Sequence, residues 1–172
     1  MNKEMFVKAI EEKYGENAQY ILNSHDVSEC LNRAEWYREN LRFDMVEFKY
    51  EEALRLAERY NKNRLTPANA KVGEGATINY YSDSHACTII KVTKSTITLQ
   101  RDKATLNKDF TPNIEVGGFA GHCTNQDEQE YTYERDEDGM QYICRWSKKH
   151  GCYMHNGMTI SKGRHEFYDY NF

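Results

Sequence analysis

The stretch GGFAGHCTNQ, Gly117 to Gln126, sets a histidine beside a cysteine in a glycine-rich segment. Such a pair can mark an activated thiol, half of a metal site, or a turn built from small residues. Adjacent residues on a strand point to opposite faces, so His122 there cannot act as a base on Cys123. A base would have to be His150, His155 or His165, and no third residue is placed to orient any of them. Gly117, Gly118 and Gly121 read more simply as positions of positive φ or close backbone contact. No residue is therefore assigned a catalytic role. A second cluster, HGCYMH, offers His150, Cys152 and His155, with Cys123, Cys144 and His122 as further ligands. Structural zinc sites usually show paired knuckles such as C-x2-C, and this chain has none. His155 leads straight into Asn156–Gly157, a hairpin-turn dipeptide. The expectation is a chain with neither metal nor cofactor.

The acidic run DEQEYTYERDED carries Asp127, Glu128, Glu130, Glu134, Asp136, Glu137 and Asp138 against the single Arg135. If YTYER is a strand, Glu130, Thr132 and Glu134 share one face, and Tyr131, Tyr133 and Arg135 the other. Charge of this kind keeps a strand edge from aggregating. It also forms a ridge suited to docking on a basic macromolecular surface, including one that normally holds nucleic acid. KVGEGATINYYSDSHA begins like a phosphate loop at Gly73 and Gly75, but lacks the third glycine and the following helix. It opens a strand instead, with Asp83 and Ser84 at the tip of a polar turn. Tyr80, Tyr81, Lys91 and Arg101 mix aromatic and basic groups, the chemistry that stacks a base or binds a nucleotide phosphate.

The elements that must position these residues change character along the chain. Residues 1–62 read as helices. Phe6, Ile10 and Tyr14 recur at helical spacing before Gly15, and ENAQYILNS forms a short second segment. Asp26 or Ser28 caps a third, with stripe Leu31, Ala34 and Leu41, helped by Tyr37 or the stem of Arg38. A fourth buries Val46, Tyr50, Ala53 or Leu54, Ala57 and Tyr60, with Glu51–Arg55 and Glu58–Lys62 pairs outside. Residues 63–70, with Pro67, are a connector. From Lys71 the period becomes two. TINYY, ACTIIKV, STITLQR, YTYER, MQYICRW, CYMH, MTIS and EFYDYNF read as short strands. Turns fall at Thr93–Ser95, at DEDG between YTYER and MQYICRW, and at Asn156–Gly157. The fold class expected is α+β: an N-terminal helical segment, then a small, mostly antiparallel β domain over 71–172, a bent sheet or Tudor-like small barrel.

Composition narrows the function classes. The 172 residues are 13% aromatic and 29% charged, too aromatic for disorder. A net charge of −4 and pI near 5.9 give no general pull toward nucleic acid or anionic lipid. No segment approaches the roughly 20 apolar residues of a membrane span. The N-terminal MNKEMFVKAIEEKYGEN has no secretory apolar run. A cytoplasmic chain with reduced cysteines, in contact with no membrane, is expected.

GEGATINYYSD, ACTIIKVTKSTITLQRDKA, GGFAGHCTNQ and GRHEFYDYNF cover most of residues 72–172. On these blocks the β half resembles a group of small uncharacterised proteins of phages and mobile elements in Firmicutes-type bacteria. The resemblance implies no catalytic residue. It implies a context in which small acidic proteins act by binding, an anti-CRISPR or other anti-defence inhibitor being one example. The expected function is a non-enzymatic inhibitor or adaptor that uses the acidic ridge on a protein or protein–nucleic acid complex of a bacterial host. The alternative is a nucleotide or nucleic-acid binding module, including one that sequesters a signal nucleotide.

Overall fold

The computed structural model describes residues 1–117 and 120–171. Gly118 of the glycine-rich segment and Phe172 of the expected last strand lie outside the described residues. The protein is α+β, with helices followed by an antiparallel β unit that contains a closed six-stranded barrel. It divides into two compact units, Met1–Arg64 and Leu65–Phe172.

In the first unit, α1 (Lys3–Tyr14) begins where the Asn2 side chain accepts from the Met5 amide, and ends at Gly15, whose φ of 53° suits glycine. A single 3-10 turn, Gly15–Asn17, leads into α2 (Ala18–Leu22). α3 (His25–Glu39) and α4 (Phe43–Asn63) pack on each other. Phe6, Ile10, Ile21, Val27, Leu31, Ala34, Val46, Tyr50, Ala53 and Ala57 form the core. The α4 stripe is thus the one its periodicity predicts. Three local expectations are corrected. The α3 cap position is Ser24, in extended conformation, because the polar run Ser24–His25–Asp26 offers several candidates and the backbone selects the first. Leu41 is 74% exposed with φ of 58°, since the helix has ended at Glu39 and the stripe is completed by Val27 instead. Glu58 reaches Lys13 of α1 at 2.6 Å rather than forming the Lys62 pair.

The barrel of the second unit consists of β1 (Gly75–Asn79), β2 (Ser84–Val92), β3 (Thr96–Arg101), β8 (Gln141–Ser147), β9 (Cys152–His155) and β10 (Met158–Lys162). The order around it is β1-β10-β9-β8-β3-β2, with every pair antiparallel. Alternation places Ala76, Ile78, Cys87, Ile89, Ile97, Leu99, Cys144, Tyr153 and Ile160 inside, with Leu65 packed among them. The β9–β10 turn has Asn156 at φ 47° and Gly157 at φ 88°, the two positive values a tight hairpin needs. Two further ribbons hang from the barrel: β4 (Lys103–Leu106) with β7 (Tyr131–Glu134), and β5 (Ile114–Gly117) with β6 (Ala120–Cys123).

Here too the structure corrects the sequence reading. β7 and β8 do not form a hairpin, because β7 pairs β4 while β8 pairs β3 and β9. The DEDG turn folds back onto the end of β3 instead. The Arg101 amide donates to the Met140 carbonyl, and Gln100 Nε2 donates to the Glu137 carbonyl at 2.6 Å. A Cβ on Gly139 would lie 2.1 Å from the Arg101 carbonyl oxygen, so only glycine permits this approach. The β1–β2 turn has Tyr81 and Ser82 at its tip, because the Tyr80 amide bonds the Asp83 carbonyl. The final segment is a strap rather than a strand. It touches β2 through one bridge, Ser84 with Phe167, and is otherwise tied down by side chains.

Candidate functional site

The strap and the end of β3 meet in a network of charges. Asp102, whose side chain is fully buried, accepts from Thr88 Oγ1 at 2.6 Å and from Arg164 Nε at 2.6 Å. Arg164 Nη2 donates to Thr88 Oγ1, closing a three-membered set. Arg101 pairs with Glu166 and also donates to the carbonyls of Ala86 and Asp102. The second Glu166 oxygen takes the Ala86 amide at 2.8 Å, one residue beyond the last β2–β3 pair, Cys87 with Arg101. Buried charge is tolerated only when paired and fully hydrogen-bonded, and both conditions hold here. The network is a fastening. The Arg101 guanidinium is already committed to a carboxylate and two carbonyls, so its chemistry is structural.

The remaining nucleotide-binding candidates do not gather round it. Tyr80 is half-buried at the end of β1, its ring 4.7 Å from that of His85. Burial, then the hydroxyl and charge of Tyr80, push Tyr142 up to about 12. His85 is held below its ordinary value, first by burial and then by Arg101, and its Nδ1 is buried with no partner among the described residues. Tyr81 projects from the turn at 93% exposure. Lys91 sits near the far end of β2, seven residues from Ser84, or about 23 Å along the strand.

The acidic residues share one region. Asp127 and Glu128 occupy a 3-10 turn, Glu130 precedes β7, Glu134 ends it, and Asp136, Glu137 and Asp138 follow in the DEDG loop. Six are exposed. Asp136 is half-buried and caps the loop by accepting from the Asp138 amide. Thr132 and Glu134 face outward on β7 while Tyr131 and Tyr133 are half-buried, as the alternation requires. No carboxylate of this run makes an ion pair among the described residues. The backbone beneath is held firmly. Gln129 Nε2 donates to the Tyr168 carbonyl, Gln126 accepts from the Tyr170 amide, and the Tyr133 hydroxyl accepts from the Glu166 amide. The strap therefore fastens the ridge to the barrel. No local pattern marks this role, because Gln126 and Gln129 act on backbone groups more than 30 residues away.

The His122–Cys123 pair separates as expected for a strand. Cys123 is buried and His122 exposed. The Cys123 amide and carbonyl are both bonded by the Asn171 amide group, and its sulfur faces Asn125 at 3.5 Å. Gly121 packs closely on β5: a Cβ there would lie 2.7 Å from the Ile114 side chain, which would have to shift. Burial pushes the Cys87 and Cys144 thiols up to about 12, which keeps them protonated and unreactive. Among the described residues no group of three or more His, Cys, Asp or Glu side chains is arranged to hold a metal ion. None of their helices is long and apolar enough to cross a membrane. No family model matches the chain, and no curated protein or solved structure matches it.

Proposed function

We propose that this protein is a non-enzymatic binding protein that presents the carboxylates of residues 127–138 to a basic surface of a macromolecular partner. In the context its sequence resemblance implies, the partner is a host complex that targets nucleic acid, and the protein is its inhibitor or adaptor. The supporting observation is the unpaired state of the ridge on a firmly fastened backbone. The seven acids of the ridge fall within twelve residues and have no cation within 4 Å among the described residues, which concentrates unneutralised charge in one place. A partner that supplies the cations adds complementary charge without first breaking internal pairs. Fixing the backbone beforehand lowers the entropy lost on docking.

The test is the triple substitution Glu128→Lys, Glu130→Lys and Glu137→Lys, which leaves the loop-capping Asp136 intact. Tagged wild-type and variant proteins are exposed to bacterial lysate with and without nuclease, and captured partners are identified by mass spectrometry. The expected result is a stoichiometric, nuclease-resistant partner that the variant retains at least ten-fold less, with melting temperature unchanged within about 3 °C. Equal retention by the variant overturns the reading.

A further inference from the structure

The barrel is electrically polarised along its axis. At the end just described lie Asp83, Asp136, Glu137 and Asp138, on the β1–β2 turn and the loop before β8. The opposite end is formed by the start of β1, the end of β2, the start of β3, the end of β8, the start of β9 and the end of β10, as the registers require. Onto this rim the fold brings Lys91, Lys94, Arg145, Lys148, Lys149 and Lys162. Lys91 lies opposite Thr98, and Arg145 opposite Thr96. Lys94 occupies the β2–β3 turn, joined to β8 by the bond from the Trp146 amide to the Ser95 carbonyl. Lys148 and Lys149 occupy the β8–β9 turn, and Lys162 faces Ala76 at the mouth. All six are exposed, and none makes an ion pair among the described residues. The connectors of this rim contribute one carboxylate, the half-buried Glu74.

We infer that this rim binds the phosphate backbone of nucleic acid. The six cations are spread round the end of a six-stranded barrel, a backbone ring about 12 Å across before side chains are added. A small anion spans one or two of them. A polymer with a charge every few ångströms meets several at once, and duplex DNA carries one per about 1.7 Å of axis. Lysines on turns act as mobile point charges, which suits phosphate contact rather than base reading. Among the described residues no exposed Phe, Tyr or Trp lies on the rim, and His150 is its one exposed ring. The Trp146 ring is turned against buried Tyr153 at 5.3 Å. Binding is therefore indifferent to sequence. The acidic far end repels the same polymer and so orients the barrel on it. The near-neutral charge of the whole chain conceals this surface, which becomes visible only when topology assigns the lysines to one end. The inference goes beyond the acidic ridge and does not depend on it.

Fluorescence anisotropy of the full chain with a labelled 20-base-pair duplex of mixed sequence, at 50 and 200 mM salt, is the test. Contact with about four phosphates predicts binding roughly 100-fold weaker at the higher salt. The variant Lys94→Glu, Lys148→Glu, Lys149→Glu loses the duplex at both salts. Single changes to glutamine each reduce the salt slope by about one, which guards against misfolding of the triple variant. The Glu128→Lys, Glu130→Lys, Glu137→Lys variant binds the duplex no more weakly than the wild type, because it also loses the repulsion of the acidic end, so failure of the rim and failure of the ridge are read separately. No binding at 50 mM salt, or rim variants that bind as the wild type does, overturns the inference. So does low-salt self-association abolished by the rim variant without duplex binding, which would make the rim an interface between copies.

Discussion

In residues 1–64 several ion pairs lie on the open surface. Arg33 meets Glu29, Arg55 meets Glu51 and Lys13 meets Glu58, all with side chains 45% exposed or more. In the β unit the two ion pairs among the described residues are Arg101–Glu166 and Arg164–Asp102, where strap meets barrel, while the described residues of ridge and rim form none. The contrast separates two uses of the same residue types. Exposed helical pairs hold the surface in a solvated, self-neutral state and add little stability. The β unit concentrates its pairing where strap joins barrel, leaving two unneutralised faces of opposite sign.

Asp102→Asn removes the buried carboxylate that Arg164 and Thr88 share. Leaving one partner of a buried pair uncompensated costs about 3–5 kcal/mol, and the one-third exposure of Arg164 favours the lower figure. The β unit should therefore lose on the order of 10–20 °C of melting temperature. Trp146 fluorescence in a Trp36→Phe background reads this unit alone. A loss under 3 °C would mean that the strap is held by other contacts.

His85 ties the stability of the β unit to pH. Burial and Arg101 depress its folded value, with Glu166 and Asp83 opposing, so the unfolded chain binds the proton more readily. Its contribution is complete above about pH 6.5 and is lost as the pH falls toward the depressed value. The same fluorescence melt should drop by several degrees from pH 7 to pH 5 in the wild type, and by less in His85→Gln. Identical slopes in the two proteins would remove His85 from the account. The smallest effect belongs to the helical surface. Glu29→Gln should shift the melting of the helical unit, read by Trp36 in a Trp146→Phe background, by no more than about 2 °C. A larger shift would show that the exposed pairs are a network.

Much of this was legible in the sequence, for definite reasons. The helical stripe Val46–Tyr50–Ala57 and the alternation TITLQR each obey a local period, and Asn156–Gly157 declares its turn by the need for positive φ. The ridge was legible because its acids are contiguous. What stayed hidden depends on distant chain. YTYER and MQYICRW looked like one hairpin, yet Gly139 docks the loop on Arg101 and sends the strands to different partners. EFYDYNF has strand composition, but Arg164 and Glu166 fasten it through side chains instead. Lys91 and Lys149 share a rim only because β2 and β8 both flank β3, a fact of topology that no window of sequence contains.

The seam between β1 and β10 has a consequence for the order of events during synthesis. The Thr77 hydroxyl donates to the Gly163 carbonyl across 86 residues, and Ala76 pairs with Lys162. Residues 1–64 have their entire core once α4 is made. The barrel cannot close until its last strand has left the ribosome, so β1 waits with an unpaired edge through most of translation. Interior residues such as Ile78 and Ile89 stay accessible to chaperones in that interval, and any pause between codons 80 and 160 lengthens their exposure.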